Sequence, residues 1–285
     1  LVRPADGPYL GGMNLRRLVR MIPLLALAVA LPAPAQLKDG LHALPAPRPG
    51  LPAVAEVTNL AAETFLIALP RAFNPQRPHG LFLYMHPGDA FEHLPPGWAS
   101  VLDKHHLVLV APQRVGNEQP VSRRLAVATA TAQRMRQLMQ IAPGRLLVGG
   151  LSGGGRMASR ATFLRPDLFD GALGICGMDF CRPVPRVKAT RTDPYGLVEV
   201  PPEQVGTAKA DARFAIVTGP GDFRYGNLLD LYEGGFQPDG YAVKLFDLPG
   251  FGHEQCPGKT LDEALNFLIG AEPAGARRPV PAAAR

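Results

Sequence analysis

The sequence is short of several things, and each shortage closes a possibility. Three cysteines in 285 residues, Cys176, Cys181 and Cys256, cannot build a disulfide scaffold; they permit one bridge and leave one thiol over. No run of lysine and arginine interleaved with aromatics occurs. The formal charge of +6 collects at the ends: net +3 over residues 1–35, net +2 over 271–285 and only +1 over 36–270. A nearly neutral body excludes nucleic acid as the partner. Spanning a bilayer takes about 20 apolar residues, and the best run, MIPLLALAVAL, is shorter, so no stable membrane anchor is expected. Metal-ligand spacings are missing too. HEQC, His253 to Cys256, lacks the second histidine of a helical zinc site, and the adjacent His105 and His106, placed on a strand, would face opposite ways. No metal is expected. Histidine itself is scarce in an informative way: His42, His79, His86, His93, His105 and His106 all precede residue 150, and only His253 follows it.

What is present begins with an address label. From Met13, NLRRLVR is a positive segment, MIPLLALAVAL an apolar one, and APA ends at Ala35 as a small-residue cleavage site. Residues 1–35 therefore read as a secretory signal peptide, cleaved after Ala35, with residues 1–12 ahead of the start methionine. The expected location is secreted or periplasmic. Residues 36–52, rich in proline and alanine, read as a lead-in without its own core. Residues 53–270 form one domain, and 271–285 a disordered tail.

Within that domain, strand-length apolar runs recur at ETFLIALP, GLFLYMHPG, HLVLVAP, RLLVGG, GALGICG, RFAIVTGPG and AVKLFDLPG. Continuous apolarity predicts strands covered on both faces, as in a parallel sheet. Between them lie helical patterns. Ser122–Gln140 sets Leu125, Ala128, Ala132, Met135 and Met139 on one face and leaves Arg123, Arg124, Arg134 and Arg136 mostly for solvent. Gly153–Leu164, Tyr225–Glu233 and Thr260–Ile269 are the other helix candidates, the last with Thr260 as N-cap and Glu263 three residues on. Alternating strand and helix predicts a doubly wound α/β sheet. One connection, 177–212, is long, charged and proline-rich, and reads as a lid-like insertion above the sheet. Cys181 and Cys256 would tie two loops at one edge of such a sheet; three unpaired thiols are the alternative.

The stretch VGGLSGGGRMA places Ser152 between a strand and a helix, flanked by glycines. A sharp strand-to-helix turn lifts a serine hydroxyl clear of the sheet, and Gly150 and Gly154 leave room for it. The helix N-terminus favours developing negative charge. A serine needs a base, and where this turn is catalytic the acid and histidine follow the serine along the chain. Only His253, in LPGFGHEQC, satisfies that order. Asp222, in TGPGD, lies just past the preceding strand, with Asp193, Asp230 and Glu233 as rivals. The oxyanion of an acyl-transfer intermediate takes two backbone donors. Gly153 supplies one; in MHPGDAF the other is Gly88 or Asp89, because Pro87 has no N–H. His86 braces this loop or fills the sheet edge. His86, Phe180, Tyr195, Phe223 and Tyr225 are candidates for the substrate pocket.

With MHPGD, GLSGGG, TGPGD and GFGH in this order, the chain from about Glu63 to Ile269 resembles the α/β-hydrolase superfamily, and more narrowly the secreted serine esterases grouped with polyhydroxybutyrate depolymerases and feruloyl esterases. It departs from their usual His-Gly at His86-Pro87-Gly88. The resemblance implies ester hydrolysis through an acyl-enzyme without cofactor, on a small-molecule or polymeric ester. A peptidase or acyltransferase on the same triad, and a non-catalytic module binding polymer or cell wall, are the other readings of these residues.

Overall fold

Each of the seven apolar runs becomes a strand. They are β2 (Phe65–Ala68), β3 (His79–Met85), β4 (Leu107–Pro112), β5 (Ile141–Leu151), β6 (Gly171–Ile175), β7 (Arg213–Thr218) and β8 (Ala242–Asp247). The structure, a computed structural model, describes residues 37–45, 59–190 and 197–270, all within one compact unit, Pro34–Arg285. The signal segment 1–35, most of the lead-in and the tail 271–285 lie outside the described residues.

An eighth strand, β1 (Gly40–His42), comes from the lead-in and pairs antiparallel with β2. Leu37 and Leu44 beside it are buried in the core, so this part of the lead-in belongs to the body. The spatial order is β1-β2-β4-β3-β5-β6-β7-β8. β2 meets β4 antiparallel, and every pairing from β4 to β8 is parallel.

Alternation along β3 shows why the runs had to be apolar throughout. Leu81, Leu83 and Met85 enter one buried layer, Phe82 and Tyr84 the other. The first layer is closed by α2 (Val121–Leu138) and α3 (Gly153–Leu164), the second by α1 (Trp98–His105) and α6 (Gly258–Ile269). Two further helices, α4 (Pro202–Asp211) and α5 (Tyr225–Leu231), follow β6 and β7, and α5 runs on into a π-helical turn over Tyr232–Phe236.

Several expectations are corrected here. Arg124 and Arg134 of α2 are buried; Arg124 Nε donates to the Val115 carbonyl at 2.7 Å and Arg134 Nη1 to that of Pro45 at 2.9 Å. Helix α6 starts at Gly258 behind Pro257, so Thr260 lies inside it and caps nothing. His105 closes α1 and His106, at φ 50°, is its left-handed C-cap, so neither is on a strand. The ends of the insertion are packed into the body. Met178, Asp179 and Phe180 are wholly buried, Phe180 bridges to Leu197, and α4 occupies 202–211. Among the described residues no helix is long and apolar enough to cross a membrane.

Candidate active site

β5 runs out at Leu151, and the next residue turns the chain sharply into α3. Ser152 holds φ 54° and ψ −119°, a conformation that costs a non-glycine residue about 1–3 kcal/mol and persists only when its surroundings fix it. They do. The Ser152 N–H donates to the Ile175 carbonyl at 2.7 Å, and its own carbonyl accepts the Arg156 N–H at 3.1 Å, opening α3. A Cβ at Gly150 or Gly154 would overlap the Met85 carbonyl, so only glycine lets β3, β5 and the helix start approach this closely.

The candidate acid and base follow the last two strands, Asp222 after β7 and His253 after β8. Asp222, just beyond β7, is buried to the last atom, whereas 23% of the His253 side-chain surface is exposed. His253 Nδ1 donates to Asp222 Oδ1 at 2.7 Å. The Arg224 N–H donates to that same oxygen at 3.0 Å and the Thr218 hydroxyl to Oδ2 at 2.9 Å. A histidine whose Nδ1–H is committed to a carboxylate keeps Nε2 as its free base. The loop is pinned around the pair: Leu248 N–H to the Thr218 carbonyl, 2.9 Å, and Gly221 N–H to the Phe251 carbonyl, 3.0 Å. The Cys176 thiol donates to the Gly252 carbonyl at 3.3 Å. The Phe223 ring lies over the imidazole, with centroids 4.2 Å apart. Of the rivals, Asp230 accepts three backbone N–H groups, from Val187, Lys188 and Ala189, and Glu233 pairs with Lys188. Asp193 lies outside the described residues.

The loop after β3 is braced from a neighbour. Gly88 N–H donates to His86 Nδ1 at 3.1 Å, and burial lowers the pKa of His86 from its ordinary 6.5, which favours this neutral acceptor. Asp89 takes the Gly116 N–H on Oδ1, 2.8 Å, and the Arg114 N–H on its carbonyl, 2.6 Å; Asn117 N–H donates to the Pro87 carbonyl at 2.7 Å. The segment 114–117 thus acts as a buttress, and its Asn117 side chain lies against Gly153.

A cavity of about 730 Å³ opens between this loop and the histidine loop, lined among others by His86, Phe91, Leu94, Phe251, Glu254 and Gln255. Of the pocket candidates only His86 lines it. Phe180 packs instead among Phe163, Phe236 and Tyr241 in the core, where burying its ring gains about 1.5–3 kcal/mol. Tyr225 donates its hydroxyl to Asp247 at 2.7 Å, Phe223 stacks on His253, and Tyr195 lies outside the described residues. Thr218, Cys176 and Asn117 are the site residues that sequence reading missed. Thr218 had a signal, a polar residue closing the apolar run Phe214–Val217.

All three cysteines are free. The bridge between Cys181 and Cys256 is not made because they serve opposite faces: Cys256 is buried in the α1/α6 layer, while Cys181 packs on the other and contacts the Tyr241 hydroxyl at 3.3 Å. Among the described residues, Cys176, Asp222 and His253 bring ligand atoms within 4.8 Å of one another. Two of the three already bond each other, and burial, then the nearby Asp222 charge, raises the Cys176 pKa. Metal ligation uses the thiolate, and the raised Cys176 pKa favours the thiol.

No family model matches the sequence, and no curated protein matches it significantly. Solved structures do match in shape. An S-formylglutathione hydrolase of Staphylococcus aureus superposes with a TM-score of 0.54 at 14% identity, over 73% of this chain and 93% of that one. A substrate-bound fluorophosphonate-binding serine hydrolase of the same organism gives 0.55 at 11% identity, over 73% and 92%. A poly(3-hydroxybutyrate) depolymerase of Bordetella parapertussis gives 0.48 at 17% identity, over 72% and 84%. The first two, with the sheet order above, establish the α/β-hydrolase fold for this chain.

Proposed function

We propose that this α/β-hydrolase-fold chain is an exported serine hydrolase acting on carboxylic esters, with Ser152 as nucleophile, His253 as base and Asp222 as its orienter. The observation that carries the proposal is the 2.7 Å hydrogen bond from His253 to the buried Asp222, on loops leaving the same edge of the parallel sheet as the strained Ser152 turn. His253 Nε2 takes the hydroxyl proton as Ser152 Oγ bonds to the ester carbonyl carbon, and the imidazolium that forms is stabilised by Asp222. Gly153 N–H and the loop after β3 hold the oxyanion. Collapse breaks the carbon–oxygen bond, and His253 returns its proton to the departing alcohol. Water, deprotonated by the same nitrogen, attacks the acyl-enzyme, and the carboxylic acid leaves with Ser152 restored.

The cavity beside His86 and Phe251 receives one side of the ester. Its mainly apolar walls favour an acyl or aryl group over a highly charged one. Export through the leader ending at Ala35 is part of the same reading.

Incubation with a fluorophosphonate probe, followed by mass spectrometry, tests it. The expected result is one adduct on Ser152, none in Ser152→Ala, and p-nitrophenyl ester turnover lost in that variant. Wild-type protein that stays unlabelled, or a Ser152→Ala variant that still turns over the ester, overturns the reading. Comparing esters with arylamides and with added alcohol acceptors separates the esterase from a peptidase or acyltransferase.

A further inference from the structure

Of the donors the loop after β3 could lend to the oxyanion hole, Pro87 has no N–H and the Gly88 N–H is given to His86 Nδ1 at 3.1 Å, which leaves the Asp89 N–H. A further polar group stands beside Gly153. Asn117 is exposed, and a Cβ placed on Gly153 would overlap its Oδ1, stand 2.8 Å from its Cγ and 3.2 Å from its Nδ2. Its side-chain amide therefore lies directly against the residue whose N–H is the first oxyanion donor.

Two contacts fix the backbone that carries this amide, and the amide itself is unclaimed. Its backbone is tied to the oxyanion loop, through Asn117 N–H to the Pro87 carbonyl at 2.7 Å. Its segment is fixed from beneath by the buried Arg124, whose Nε holds the Val115 carbonyl. No described residue takes or gives a hydrogen bond at its side chain, so both amide hydrogens remain for a ligand. The torsion carrying the amide is broad and roughly two-fold, so exchanging Oδ1 for Nδ2 at the face toward Gly153 costs little. A neutral amide donor suits the task, since it stabilises the developing charge without becoming a competing cation or nucleophile.

We propose that the Asn117 side-chain amide is a catalytic oxyanion donor, giving an Nδ2–H hydrogen bond to the tetrahedral intermediate alongside Gly153 N–H. This rests on the Ser152 hydrolase reading above. The bond forms to the negatively charged oxygen and is weaker to the neutral ester carbonyl, so its loss falls on kcat and leaves KM nearly unchanged.

The test is steady-state turnover of a short-chain p-nitrophenyl ester by wild type, Asn117→Ala and Asn117→Asp, with thermal unfolding of each. Expected is a drop in kcat of about 100-fold in Asn117→Ala, with KM within about twofold and an unchanged unfolding midpoint. Asn117→Asp keeps the size but presents acceptors only, and loses at least as much. It decides the matter if Asn117→Ala disturbs the fold. Wild-type kcat in either variant, to within about threefold, overturns the assignment of Asn117 while leaving Ser152 standing. Wild-type protein that neither labels with fluorophosphonate nor turns over the ester overturns both.

Discussion

Two carboxylates are wholly buried on neighbouring connections, Asp179 after β6 and Asp222 after β7, and they are treated in opposite ways. Asp179 is gripped by fixed cations: Arg156 Nε bonds Oδ1 at 2.8 Å and Arg160 Nε bonds Oδ2. Arg160 also reaches the Leu197 carbonyl at 2.8 Å, so this charge cluster sews the start of the insertion to α3 and to the chain at Leu197. Asp222 has no guanidinium. It is held by a hydroxyl, a backbone N–H and an imidazole. A carboxylate neutralised by arginine has its charge spent in structure, because guanidinium does not release its proton. One solvated by neutral donors keeps its field for a partner whose charge comes and goes. The same residue type, equally buried, is locked by two cations in one place and held by neutral donors beside an imidazole in the other.

The contrast is broken most forcefully at Asp222. Asp222→Asn should keep the fold and lower kcat on the order of 10⁴-fold, since the amide imposes the wrong imidazole tautomer; ester turnover and a melting curve on one preparation check both halves. Asp179→Asn should do the reverse. It leaves two arginines facing each other and costs about 3 kcal/mol in stability, the low end for a broken buried pair because both guanidiniums retain solvent contact. Urea unfolding reads this, and kcat per folded molecule should stay near wild type. If Asp179→Asn loses turnover while keeping its stability, the division of labour is wrong.

A finer test removes one support from Asp222. Thr218→Val preserves shape but deletes the hydroxyl donor to Oδ2, leaving that buried oxygen unpaired at a cost of about 1–2 kcal/mol. Stability should fall by that amount, with kcat lower by about tenfold if the imidazolium shares the loss. The smallest effect concerns His86, whose pKa burial lowers from 6.5. The unfolded chain then takes up this proton first as pH falls. The stability His86 contributes is complete above 6.5 and is lost as pH falls from there through the lowered folded value, with a slope of no more than one proton, about 1.4 kcal/mol per pH unit. Urea midpoints at pH 7.5 and 5 should lie closer together in His86→Gln than in wild type.

The sheet was legible because β3 to β6 are buried along most of their length and the apolar runs from β2 to β8 are bounded by glycine or proline within a few residues. Helix α1 escaped notice for a local reason. WASVLDKH spans eight residues, follows the left-handed Gly97 and has no side-chain cap, so nothing in its sequence announces a start. Arg124 was misplaced because a cation on an amphipathic helix reads as a solvent face, and its buried destination, the Val115 carbonyl, depends on a tertiary contact. The order Ser152, Asp222, His253 could be read along the chain. The surroundings could not, because Asn117 meets Gly153, and Cys176 meets Gly252, only after the strands have been laid side by side. Aromatics near the motifs were poor guides to the pocket, since Phe180 gained more from the core than from the cavity.

The three-residue strand β1 has a consequence for how the molecule keeps to itself. Without it, β2 would present an open row of N–H and C=O groups to which another chain could add. β1 occupies that row, is too short to recruit a further strand, and is fastened by Leu37 and Leu44. The opposite margin is guarded differently, by the charged Lys244 and Asp247 of β8. One margin of the sheet is plugged and the other carries charge, two devices that disfavour edge-to-edge pairing with another sheet.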